Sequence, residues 1–87
     1  MASINISVVI LTARRREQLQ ECLTSLERQT RKDFEIVLVD NAPCGDTDEI
    51  VRQSPLQINH IKNPKPGSYA ESRNLGVREA KGEFVAF

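Results

Sequence analysis

The chain alternates between short apolar runs and polar stretches with helical spacing. Ile6-Ser-Val-Val-Ile-Leu11 is β-branched and nearly continuous in its apolar character, as a strand buried on both faces would be, and it predicts a first strand over about 4–11. Beyond the cationic turn Thr12-Ala-Arg-Arg-Arg16, Leu19, Cys22, Leu23 and Leu26 recur at the i, i+3, i+4, i+7 spacing of one helix face. That spacing predicts a helix over about 16–29 with Cys22 buried as a small hydrophobe. Phe34-Glu-Ile-Val-Leu-Val39 is a second apolar strand, and it ends on Asp40-Asn41.

Later elements are shorter. Asn41-Ala-Pro-Cys-Gly45 is rich in turn residues, and Asp46 can cap a helix running to about Gln53, with Asp48 and Glu49 in its first turn. Leu56-Gln-Ile-Asn-His-Ile61 alternates apolar with polar, which predicts an edge strand with His60 facing solvent. Lys62-Asn-Pro-Lys-Pro-Gly67 forms a rigid loop. Ser68 then caps a helix to about Lys81, with Ala70, Leu75, Val77 and Ala80 among its small or apolar positions and Gly82 as its stop. Glu83-Phe-Val-Ala-Phe87 opens a fourth strand.

The order βαβαβαβ with short connections predicts an α/β fold: a Rossmann-like parallel sheet in spatial order 3-2-1-4. In such sheets ligands lie beyond the carboxyl ends of the strands. The cationic turn and Asp40 are therefore expected to face one crevice.

Composition narrows the picture only a little. At 87 residues the chain is at most one small domain. With 12 Lys+Arg against 12 Asp+Glu, charge gives no reason to expect nucleic-acid or anionic-membrane binding. No apolar run is longer than the four residues of Val8–Leu11, against roughly 20 residues for a membrane span. The start Met1-Ala-Ser-Ile-Asn has no signal-peptide pattern, so the expected compartment is the cytoplasm, or the inner membrane face for the full-length protein. Two cysteines, Cys22 and Cys44, make neither a disulfide framework nor a zinc motif.

Candidate chemistry lies in three places. The first turn lacks the glycines of a dinucleotide-binding or P-loop motif. Its arginines, Arg14 to Arg16, are either a solvated helix start or a seat for an anion, since three cations at a helix N-terminus oppose its dipole. Asp40 either caps the following turn or accepts a hydrogen bond from the imide N–H of a pyrimidine base, with Asn41 supporting the loop. Arg73 either reaches a diphosphate or pairs with Asp40 or Glu71 as scaffold. Asn74 and Gly76, poor helix formers at mid-helix, point to close packing or a polar contact there.

In series, these segments resemble the N-terminal half of family 2 glycosyltransferases, nucleotide-diphospho-sugar transferases of the GT-A fold. The family reads V-I-P-T-Y-N-R, then F-E-I-I-V-V-D-[DN]-G-S, then A-R-N-x-G-I-x-x-A-x-G-E-Y-I-A-F. Here the pieces are Val9-Ile-Leu-Thr-Ala-Arg-Arg15, Phe34-Glu-Ile-Val-Leu-Val-Asp-Asn-Ala42 and Ser72-Arg-Asn-Leu-Gly-Val-Arg-Glu-Ala-Lys-Gly-Glu-Phe-Val-Ala-Phe87, in order over nearly the whole chain. The resemblance implies a partial GT-A fold that binds a nucleoside-diphosphate sugar, with a UDP-sugar as the expected donor. It places Leu11, Thr12 and Ala13 along the base and ribose. It also matches Arg15 to the family's basic residue, Asp40 to the carboxylate that reads the base, and Arg73 to an arginine near the diphosphate.

Departures from the pattern matter too. Leu11 replaces the family's proline, and Ala13 replaces a tyrosine that often packs on the base. The family's acidic Asp-x-Asp-type motif, which binds Mg²⁺ or Mn²⁺, follows the A-F strand, so the metal ligands of the full-length enzyme are expected beyond Phe87. Residues 1–87 then read as the donor-binding portion of an inverting glycosyltransferase. The acceptor hydroxyl is not specified, and no metal or catalytic base is expected in this portion. Two other readings compete. One is a non-catalytic module that binds itself, as a homo-oligomer, or a partner through an exposed sheet edge. The other is a small nucleotide-binding regulator.

Overall fold

A computed structural model describes residues 6–13, 16–30, 33–43, 45–63, 67–82 and 84–86. The elements are β1 (Ile6–Thr12), α1 (Arg16–Glu27), β2 (Phe34–Asp40), α2 (Gly45–Gln53), β3 (Ile58–Lys62), α3 (Tyr69–Glu79) and β4 (Phe84–Ala86). The four strands form one sheet in the order β3-β2-β1-β4, and every neighbouring pair is parallel. This is the α/β architecture and strand order expected from the pattern of the chain.

Alternation along the strands divides the sheet into two faces. Residues 36, 38 and 40 of β2 share one face with Ile10 and Thr12 of β1 and with Ile58, His60 and Lys62 of β3. Leu19 and Leu23 of α1 and Ile50 of α2 pack there on Ile36 and Leu38 and make the main apolar core. At roughly 1.5–3 kcal/mol per buried aliphatic side chain, this cluster is the principal apolar contribution to holding the helices on the sheet. β2 is buried from Glu35 to Asp40, whereas β1 keeps several half-buried positions, so β2 rather than β1 is the strand enclosed on both sides. Cys22 is half-buried, not fully buried as its face predicts, and that burial pushes its thiol pKa up, which makes it a poor nucleophile.

The other face carries Ser7 and Val9 of β1 with Glu35, Val37 and Val39 of β2. Here α3 packs through small residues. Ser72 and Gly76 are buried, while Leu75 and Ala80 are half-buried and Ala70 and Val77 are exposed. A Cβ at Gly76 would lie 2.5 Å from Val9 Cγ1 and 3.3 Å from Val39 Cγ2, so glycine sets how closely helix and sheet approach. The small and apolar positions noted in the sequence are thus not where α3 packs most closely. Gly76 is where it does, and of the two causes expected for its mid-helix placement, close packing is the one found.

Ser68 caps α3, and its Oγ accepts the Glu71 N–H at 3.2 Å, in the Ser-x-x-Glu form of a capping box. α2 begins at Gly45, one residue before the expected cap. Asp46 and Asp48 therefore lie inside the first turn, where they suit its dipole. α3 ends at Glu79 with Ala80 as its C-cap, so Gly82 is not the stop expected of it; a Cβ at Gly82 would instead sit 2.7 Å from the Ser7 backbone nitrogen. Close approach to β1 calls for glycine at that position.

Candidate functional site

Parallel register brings the carboxyl ends of β1, β2 and β3 together. Thr12 pairs with Asp40, and Asp40 pairs with Lys62. The pairing continues one residue further: the Asn41 N–H donates to the Thr12 carbonyl and the Asn63 N–H to the Asp40 carbonyl, both at 2.8 Å. Three strands thus end at one rim, and the side chains of Thr12 and Asp40 point to the same face there.

Asp40 is fully buried. Its Oδ1 accepts the Ala42 N–H at 3.2 Å, closing the turn after β2. Its Oδ2 lies 3.0 Å from His60 Nε2. His60 is therefore not the solvent-facing residue expected of an edge strand: its side chain is only 12% exposed, and Nδ1 lies 3.8 Å from Asp48 Oδ1 on α2. Lys62 Nζ is 3.2 Å from each oxygen of the same Asp48 carboxylate. Carboxylate, imidazole, carboxylate and ammonium thus follow one another from β2 to β3, α2 and back to β3, with opposite charges adjacent wherever the ring is protonated. A buried carboxylate needs such partners, because an unpaired one costs several kcal/mol.

Asn41 forms a second junction. Its Oδ1 accepts Asn63 Nδ2 at 2.9 Å and Ser72 Oγ at 3.2 Å, tying the end of β2 to the loop after β3 and to α3.

The remaining expected residues are spread along the rim. Thr12 is buried, Leu11 is half-buried and Ala13 is exposed. Leu11 and Thr12 also line a hollow of about 230 Å³ between the end of β1 and α1, together with Ile10, Gln18, Leu19 and Cys22. Arg73 is exposed on α3, next to the buried Ser72. Arg16 pairs with Asp46 at 3.5 Å, an exposed contact of little energetic weight. Arg15, Arg14 and Cys44 lie outside the described residues. Among the described residues no group of three or more His, Cys, Asp or Glu side chains is placed to hold a metal ion. No helix among them is long and apolar enough to cross a membrane.

His60, Asp48, Asn63 and Ser72 were not among the expected site residues. A signal for His60 was present: it has the same period-two parity as Leu56 and Ile58, so the core-facing side of the strand was available to it. Asp48, Asn63 and Ser72 left no comparable trace, since each depends on contacts between elements far apart in the chain.

Comparison with known proteins adds an independent line. The family model for Glycosyl transferase family 2 matches residues 7–87. An uncharacterized glycosyltransferase of Haemophilus influenzae is 32% identical over 83 residues, covering 94% of this chain and 28% of its own length. Glycosyltransferase AglE of Haloferax volcanii is 33% identical over 88 residues, covering 94% of this chain and 29% of its own. The chain thus spans less than a third of these relatives. Among solved structures, the mannosyltransferase PcManGT from Pyrobaculum calidifontis, in complex with GDP-Man and Mn²⁺, superposes with a TM-score of 0.80 at 24% identity. That match covers 95% of this chain and 26% of the mannosyltransferase, and it shows a shared fold.

Proposed function

Because the chain belongs to glycosyl transferase family 2, we propose that it is the donor-binding portion of an enzyme that moves a sugar from a nucleoside-diphosphate sugar to an acceptor hydroxyl. A UDP-sugar is the donor we favour, with inversion at the anomeric carbon. The observation that carries the reading is the side-by-side placement of Thr12 and Asp40 at the carboxyl ends of two central parallel strands, where α/β sheets bind ligands. The Pyrobaculum protein of the same fold, in complex with a nucleotide sugar, supports that donor class.

In this reading Leu11, Thr12 and Ala13 border the base and ribose. Asp40 offers its remaining acceptor capacity to the base, Asn41 fixes the loop beneath it, and Arg73 approaches the diphosphate from α3. Arg15 is kept as a cation beside that turn on the family pattern alone. On the family pattern, Mg²⁺ or Mn²⁺ ligands and the catalytic base are assigned beyond Phe87, and transfer is proposed to need them. The cytoplasm, or the inner face of a membrane, is the compartment where such a donor would be met. Self-association through the β4 edge has the exposed Val85 in its favour and is the weaker reading.

Titration with UDP, followed by NMR on the 87-residue chain, tests the proposal. The expected result is weak, saturable shifts at Thr12, Asp40 and Arg73. No shift at those positions in millimolar UDP would remove the claim of donor binding by this portion, while leaving the family assignment in place.

A further inference from the structure

We propose that His60 is a positioning residue of the donor site: it holds the Asp40 carboxylate in register for the base and so sets a preference for bases that carry an imide N–H. The inference rests on the donor-binding reading above and deepens it.

Asp40 is fixed from two sides. Its own loop supplies the Ala42 N–H to Oδ1 at 3.2 Å, and the edge strand supplies His60 Nε2 to Oδ2 at 3.0 Å. A carboxylate has about four acceptor sites, so both contacts can persist while a third donor is accepted. Rotation about the side chain's last bond would exchange the two oxygens, and the paired contacts oppose it.

His60 is itself held. Asp48 Oδ1 lies 3.8 Å from Nδ1, and the Lys62 ammonium lies 3.2 Å from the same oxygen. The ring is thus bracketed by a carboxylate at each nitrogen, with Lys62 against the outer one. The bracket joins the end of β2 to β3 and α2, so the orientation of Asp40 depends on three elements instead of one loop. Of the Asp40–His60 pair, the imidazole is the member with solvent exposure, at 12% against zero for the carboxylate. The ring is therefore the exposed border of a covered carboxylate.

A purely structural His60 and a positioning His60 make different predictions. Loss of a structural contact lowers stability and weakens every ligand alike. Loss of positioning removes discrimination between ligands that do and do not offer the imide N–H. The test uses UDP and its N3-methylated analogue, titrated into the wild-type chain, His60→Ala and His60→Gln, with the Thr12 and Asn41 amides as reporters.

The wild type is expected to bind UDP about tenfold more tightly than N3-methyl-UDP, the size of one hydrogen bond to a charged acceptor. His60→Ala is expected to lose that ratio through weaker UDP binding, with N3-methyl-UDP unchanged. His60→Gln, whose amide can donate to Oδ2, is expected to keep the ratio within about threefold. A folded His60→Ala chain with the wild-type ratio overturns the proposal, as do alanine and glutamine variants that are equally impaired for both ligands. Wild-type binding of both ligands with equal affinity also overturns it and leaves donor binding standing. Wild-type binding of neither overturns donor binding and the role of His60 together.

Discussion

Strand β2 carries two buried carboxylates, Glu35 near its start and Asp40 at its end, and they are held in opposite ways. Glu35 Oε2 accepts the Ser7 hydroxyl and the Lys81 N–H, both at 2.6 Å, while Ser7 Oγ in turn accepts the Gly82 N–H at 2.8 Å. Its partners are neutral groups on β1 and in the turn that leads from α3 to β4. Asp40 instead meets one backbone N–H at 3.2 Å and an imidazole at 3.0 Å, at the end of the sheet where ligands bind. The two residues are alike in charge, strand and burial. What separates them is the chemistry of their partners: Glu35 closes a fold, and Asp40 belongs to a titratable chain that ends at Lys62.

The sharpest way to break the comparison is Glu35→Ala. It would leave the buried Ser7 hydroxyl and the partly covered Lys81 N–H without their acceptor, and we expect a loss of about 3 kcal/mol in urea unfolding. Glu35→Gln retains an acceptor and is expected to lose less. In both variants, under conditions where they remain folded, the amide signals of Thr12 and Asn41 should keep their positions, because the carboxyl rim is held by other bonds. Movement of those signals would show that the two ends of β2 are coupled and that the division drawn here fails.

Gly76→Ala tests the helix that spans both ends. α3 carries Ser72, which touches Asn41, near one end and leads at the other into the turn at Lys81, which touches Glu35. The added methyl would meet Val9 2.5 Å away, and overpacking of this kind costs about 1–3 kcal/mol. We expect a loss near the middle of that range, with signals shifting at Asn41 and at Lys81 alike. A neutral substitution would mean that α3 can lift off the sheet without cost.

Strand order, element order and approximate boundaries were legible because they follow from β-branched runs, short connections and the handedness of parallel crossovers. The face of α3 was not. The small and apolar positions Ala70, Leu75, Val77 and Ala80 mark no face in the sequence; Val77 is 41% exposed, and Ser72 and Gly76 are the buried positions. Hydrophobicity alone does not register a contact made by the absence of a side chain. The site was legible in part: Thr12 and Asp40 do stand together. His60 was misread because its polarity outweighed its parity with Leu56 and Ile58 along the strand. The sequence leaves Asp40 open to capping a turn or reading a base, and the Ala42 contact shows that it does cap the turn. The same contact leaves acceptor sites over, so capping and reading are not exclusive.

The smallest effect should come from Ser68→Ala, which acts on the crevice end of α3 alone. The Ser68 hydroxyl is exposed and accepts one backbone N–H, that of Glu71. Loss of such a cap costs about 1 kcal/mol. Because a frayed first turn need not carry the rest of the helix with it, hydrogen exchange should speed up at Glu71 and Ser72 well before it does at Lys81 and Gly82. The Ser72–Asn41 contact would loosen, and the Glu35 junction would stay protected. Equal acceleration at both ends would instead make α3 a single cooperative unit, and the two ends of β2 would then be joined through the helix even though their carboxylates never meet.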